Sequence, residues 1–343
     1  MTDRFDDPQA QKEARFESVL QELESGKESG LIAGIIEALS SLSTEQLERL
    51  RPIWNKLDSS YRLLLMQMLI DASQSDSLLL YDELGILNLD APEPEIRKAA
   101  IEMIAVDATV PLVRKILAMA QNDESVEVRI EAINSLGRFV LLGEYEEIPH
   151  GLAQRVQEAL LAIHKNQENN LNLRRFALEA VANATREDVA PLIEAAYANN
   201  NPLMKISAVA AMGNSCDNRW ETILLQELHN EDAQTRREAV RAAGLVQIEK
   251  AVPRIAAILD EDDLENDERD WIVWSLGEIG GDRASRVLNA LLKKAQNDED
   301  EDLELLIDDA LSNAQLAGDF MMLDFSDYED IDFDDFEEGD YED

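Results

Sequence analysis

The chain is short of the residues from which reactive sites are most often built. Among 343 residues there are three histidines and one cysteine. Lone Cys216 excludes an internal disulfide, fits a reducing compartment, and without a paired histidine reads as a turn residue rather than a nucleophile. His150, His164 and His229 form no His-Glu-x-x-His motif. Aromatic residues are 5% of the chain, and there is no Gly-rich phosphate loop or nucleophile elbow. Long apolar runs are also missing: Leu63 to Ile70, interrupted by Gln67, falls far short of the ~20 residues that span a bilayer. The first residues contain no apolar core of a signal peptide, so a cytoplasmic location is expected. Positive charge is scarce as well, with 31 Lys and Arg against 72 Asp and Glu, a net charge of -41. Such a surface repels nucleic acid and anionic lipid, and it makes any chosen carboxylate pair uninformative. No catalytic residue, metal site or cofactor is expected, and neither nucleic acid nor membrane as a partner.

What the chain has is Leu, Ile, Val and Ala, within a hydrophobic content of 45%, and a recurring pattern. A basic residue is followed three places on by a small residue and five places later by Gly or Ala. It reads Arg97-Ala100-Ala105, Arg129-Ala132-Gly137, Arg174-Ala177-Ala182, Lys205-Ala208-Gly213 and Arg236-Ala239-Gly244, then decays to Arg269-Ile272-Gly277. The anchors lie 32, 45, 31, 31 and 33 residues apart, so one unit is a pair of short helices, with an insertion between Leu141 and Gln167. First helices open with Pro just inside the start, at Pro111, Pro191 and Pro253. The capping box Ser43-Thr44-Glu45-Gln46 introduces a helix to Leu57, and others are expected over 31–42, 59–72 and 77–88. The spacing therefore predicts an all-α solenoid. Residues 1–30 form a charged N-terminal arm, loosely docked, with Phe16, Val19, Leu20 and Leu23 on one helix face. Residues 31–318 form the solenoid, degenerate over 31–90 and clear over 91–318, and Glu304 replaces the anchor in its last repeat. Residues 319–343 form a disordered acidic tail.

With the turn acid or amide six residues before each anchor (Asp123, Glu168, Asn199, Asn230, Asp263), the pattern resembles the HEAT repeat family, in particular the short repeats of phycobilisome-lyase relatives. The resemblance implies a right-handed superhelix of antiparallel helix pairs with a concave binding face, and no particular partner. HEAT-like deoxyhypusine hydroxylases depend on repeated His-Glu pairs, and this sequence has none. Phycobilin lyases share the scaffold, but no chromophore-handling residue can be matched, and HEAT-like DNA glycosylases need a basic concave track.

The anchors are expected to bridge turn acids of their own and neighbouring units, stitching the stack together. Trp271 and Trp274 share a helical face; such a pair fills space near a solenoid's end or forms an aromatic hot spot. Arg237 and Arg241, beside the anchor Arg236, are left to meet an acidic partner. Residues 319–343 carry 13 acids and no base, in repeats that place aromatics at Phe325, Tyr328, Phe333, Phe336 and Tyr341. Solvation alone does not call for aromatics, so these five are expected to bind a partner with a basic surface. The function expected is a non-catalytic protein-interaction scaffold or adaptor. The alternatives are a nucleic-acid mimic or chaperone for a basic protein and, more weakly, a lyase-like HEAT enzyme.

Overall fold

The computed structural model describes residues 8–25, 34–259, 264 and 266–322, and these are all α, with no strand among them. The chain divides into two compact units, Met1–Ala211 and Met212–Asp343. The first contains α1 (Pro8–Glu24), α2 (Ile35–Leu39), α3 (Thr44–Trp54), α4 (Ser59–Ser75), α5 (Asp82–Asn88), α6 (Pro94–Glu102), α7 (Val110–Asn122), α8 (Val126–Glu144), α9 (His150–Lys165), α10 (Leu171–Val181), α11 (Ala190–Tyr197) and most of α12 (Pro202–Asn214). The second contains α13 (Glu221–Glu227), α14 (Ala233–Leu245), α15 (Val252–Ile258), α16 (Asn266–Ile279), α17 (Gly281–Asp298) and α18 (Glu301–Met322).

Short polar turns fold each pair into a helical hairpin, α5 on α6, α7 on α8 and α9 on α10, then α13 on α14, α15 on α16 and α17 on α18. Second helices then stack on second helices, α4, α6, α8 and α10 in one unit and α14, α16 and α18 in the other. Cap chemistry explains where several of them begin. Ser43 and Gln46 form the reciprocal capping box of α3, and Asp58, Ser125, Asn170 and Asp232 accept the first free N–H groups of α4, α8, α10 and α14. Pro stands in the first turn of α7, α11 and α15. The apparent insertion is mostly helix: α8 continues to Glu144 and α9 runs for 16 residues.

The N-terminal helix is firmly packed rather than loosely docked. Phe16, Val19, Leu20 and Leu23 of α1 are buried, and Arg49 of α3 reaches both Glu13 and Glu17. At the other end α18 continues to Met322, past the expected start of the tail at 319.

The anchors do stitch the stack, but mainly through backbone. Arg129 Nε donates to Ala120 O at 3.2 Å and Arg174 Nε to His164 O at 3.1 Å, both in the last turn of the preceding helix. Arg236 Nη1 donates to Asn230 O and Glu231 O, and Arg97 Nη1 to Ala91 O and Pro92 O. The last carbonyls of a helix have no partner within it and carry its negative dipole end, so a guanidinium there answers both needs. Acids complete the contact at Arg97, forked to Asp123, and at Arg269, 3.4 Å from Asp300. Lys205 instead lies over the Tyr197 ring. The turn residues six places before the anchors mostly serve the turn itself: Asp123, Asn199 and Asn230 each accept the N–H two residues on.

Small residues set the step between second helices. A Cβ on Gly213 would lie 2.7 Å from Cα of Ala242, one on Gly244 3.0 Å from Cα of Ser275, and one on Gly277 3.0 Å from Cα of Ala310. Gly137 faces Ala180 more loosely, at 3.4 Å. The glycine eight places after one anchor thus meets the small residue six places after the next, and the register holds at Glu304, whose sixth successor is Ala310.

Candidate partner-binding surface

Anchors tied to the turns and close-packed small residues leave one face of the second helices for contact with other molecules. Trp271 and Trp274 lie on it in α16, rings edge to face at 83° with centroids 5.6 Å apart. Trp271 is 43% exposed and Trp274 half-buried, so Trp271 does not fill a core. Arg237 and Arg241 of α14 lie on the same face, but their charges are answered within the chain. Arg237 donates twice to Glu268, and Arg241 bonds Glu238 and Asn214. Paired guanidiniums offer an acidic partner less than the sequence suggested. Phe325, Tyr328, Phe333, Phe336 and Tyr341 lie outside the described residues.

A concavity lies elsewhere, in the first unit, between α4 and α6 and the start of α8. It is a groove of about 790 Å³. Leu63, Leu64, Pro94, Ile96 and Ala99 supply apolar wall, and Leu64 is 64% exposed although it lies in mid-helix. Acids surround this floor: Glu95 and Glu127 are exposed, while Glu93 accepts bonds from Ser59 and Arg62. Lys98 is the one base lining the groove, and it is held by Glu102 and lies 4.0 Å from Glu131. Burial, with Glu102 nearby and Lys98 opposing, pushes the Glu131 carboxyl up to about 7. Near neutral pH the Glu131 carboxyl beside the groove is therefore partly protonated.

Sequence reasoning missed this groove. Leu64 had a weak signal, a leucine beside Leu63 and Leu65 where an amphipathic helix needs only some of them buried. Glu102 and Glu131 had none, because acids are everywhere in the chain. Among the described residues no three His, Cys, Asp or Glu side chains converge on a point that would hold a metal ion, and no helix is long and apolar enough to cross a membrane. Cys216 is exposed, with positive φ in the turn after α12.

Residues 221–306 match the family of HEAT repeats, without distinguishing the narrower lyase-like type. No curated protein matches in sequence. Among solved structures, the Escherichia coli protein YibA is 17% identical, with a TM-score of 0.39, over 84% of this chain and 97% of that one. Human deoxyhypusine hydroxylase in complex with glycerol is 18% identical, with a TM-score of 0.34, over 90% of this chain and 98% of its own. An engineered protein is 15% identical, with a TM-score of 0.36, over 60% and 97% of the two chains.

Proposed function

We propose that this chain, whose residues 221–306 match HEAT repeats, is a non-catalytic scaffold which holds another protein by a basic, amphipathic segment. The groove between α4, α6 and α8 carries the reading: an exposed leucine on an apolar floor, with acids around it. Covering a side chain such as Leu64 contributes about 1.5–3 kcal/mol, and a rim of one sign selects the opposite sign and speeds encounter. Acidic residues 323–343, with five aromatics among them, extend the same preference for a basic partner.

The test is a fluorescence titration of the full chain with a labelled amphipathic Leu/Lys helix peptide, and with its Leu/Glu counterpart. The basic peptide should bind in a salt-dependent way and the acidic one should not. Leu64→Lys should weaken binding at least about tenfold, the equivalent of 1.4 kcal/mol, while Arg237→Ala leaves it unchanged. Binding that survives Leu64→Lys but disappears in Trp271→Ala would move the site to α16 and refute the groove.

A further inference from the structure

One helix carries four exposed bases that are poorly paired within the described structure. Helix α17 carries Arg283, Arg286, Lys293 and Lys294 against Asp282 and Asp298, an excess of bases in a chain whose net charge is -41. All four bases are exposed. Unlike the arginines of α14 they are poorly answered. Arg283 comes no closer than 3.9 Å to Glu249, and Arg286 Nε bonds only its own helix at Asp282 O. Among the described residues Lys293 and Lys294 have no ion-pair partner. A shallow depression of about 730 Å³ runs along this face, lined by Asp282, Ser285, Arg286, Asn289, Ala290 and Lys293.

We infer that this strip is the docking site of the chain's own residues 323–343. The connection makes it close at hand. Helices α17 and α18 form a hairpin through the two residues Glu299 and Asp300, so α18 runs back along α17 and ends, at Met322, near the end of α17 that carries Arg283. From that point 21 residues extend roughly 70 Å at full stretch, ample for a return over α17, which is about 27 Å long. One eight-residue repeat of the segment, extended, covers about 26 Å, close to the length of the helix.

Charge and ring chemistry also match. Residues 323–343 hold twelve acids and no base. Arg283 and Arg286 can each take a carboxylate as a fork or a ring against the guanidinium plane, whereas Lys293 and Lys294 act as point charges. Alternating Asp with Phe and Tyr offers both kinds of contact in each repeat. Several repeats within reach of one strip raise its occupancy without any single tight contact. The segment then covers a strip of weakly paired bases that a foreign anion could otherwise meet.

Carbodiimide coupling of the full-length monomer, which joins a lysine amine to a carboxylate only on direct contact, reads this arrangement. Peptide mapping should find Lys293 and Lys294 joined to carboxylates of residues 323–343, independent of protein concentration and falling about tenfold at 0.5 M salt, where charges farther apart than ~4 Å are screened. Arg283→Glu with Arg286→Glu should suppress those links severalfold while leaving the α-helical circular dichroism unchanged. Links confined to dimers, or spread equally over Lys250 and Lys293, would overturn docking within the chain. Replacing Phe325, Tyr328, Phe333, Phe336 and Tyr341 by Ala with every acid kept should reduce the links severalfold; no reduction would refute the role given to the rings.

Discussion

Arg97 and Asp123 close a two-bond fork, Nε to Oδ2 at 2.9 Å and Nη2 to Oδ1 at 2.7 Å, with both side chains more than nine-tenths out of water. Burial by itself would raise the Asp123 carboxyl, but the Arg97 fork, the Ser125 N–H and the positive charges of Arg97 and Lys115 together outweigh it and hold the carboxyl below the usual carboxylate range. A depressed acid stabilises the fold above its unfolded pKa and loses that contribution as pH falls through the folded one. Asp123→Asn, which leaves the guanidinium without its counter-charge, should cost about 3 kcal/mol at pH 7. Urea denaturation of both proteins should show the gap narrowing below about pH 4.

The glycine steps predict a graded series. Alanine favours a helix by up to about 1 kcal/mol over glycine, while overpacking costs about 1–3 kcal/mol. At Gly137 the added methyl meets only ordinary contact, so Gly137→Ala should be neutral or stabilising. At Gly213 it meets backbone at 2.7 Å, so Gly213→Ala should lower the melting temperature. Thermal denaturation of the two variants decides it, and equal effects would refute the ladder as the spacing device.

Glu131 should make stability fall as pH rises. Its folded pKa, about 7, lies above the ordinary 4.5, so the folded state binds the extra proton between those values. The resulting stability is present below about pH 4.5 and lost by pH 7 and above. Glu131→Gln keeps the shape without the charge, and should raise the melting temperature at pH 8 by a few degrees with little change at pH 5.

Two tryptophans should separate core from surface. Trp54 is fully buried, and its Nε1 donates to Asn88 Oδ1 at 3.0 Å, so Trp54→Ala should cost about 3–5 kcal/mol. Trp271→Ala removes a half-exposed ring and should cost no more than about 1 kcal/mol in the same chemical denaturation series.

The parts of this structure that were readable in the sequence are those with a local cause. The capping box at Ser43, the prolines opening α7, α11 and α15, and the anchor period follow from residues within a few positions of one another. The partners of Arg129, Arg174 and Arg236 were not readable, because a backbone carbonyl leaves no mark in a sequence. The small residues at Ala180, Ala242, Ser275 and Ala310 did leave a mark, six places after each anchor position, but only the glycine opposite shows what they are for. The burial of Phe16 was suggested by helical spacing, whereas its docking against α3 depends on Arg49 meeting Glu13 and Glu17 across more than thirty residues. Leu64 and Glu131 come together beside one groove only because α4, α6 and α8 stack, so the candidate site had no sequence signature of its own.

The close steps at Gly213, Gly244 and Gly277 also bear on how the second unit deforms under load. Where backbone rests almost directly on backbone, no cushion of long side chains can compress or slide. The second helices α14, α16 and α18 then behave as a nearly inextensible edge. Bending must then be absorbed among the first helices, which touch one another far less. A pull on the unit would open that softer side first, and single methyl groups at the glycines would reset its resting curvature.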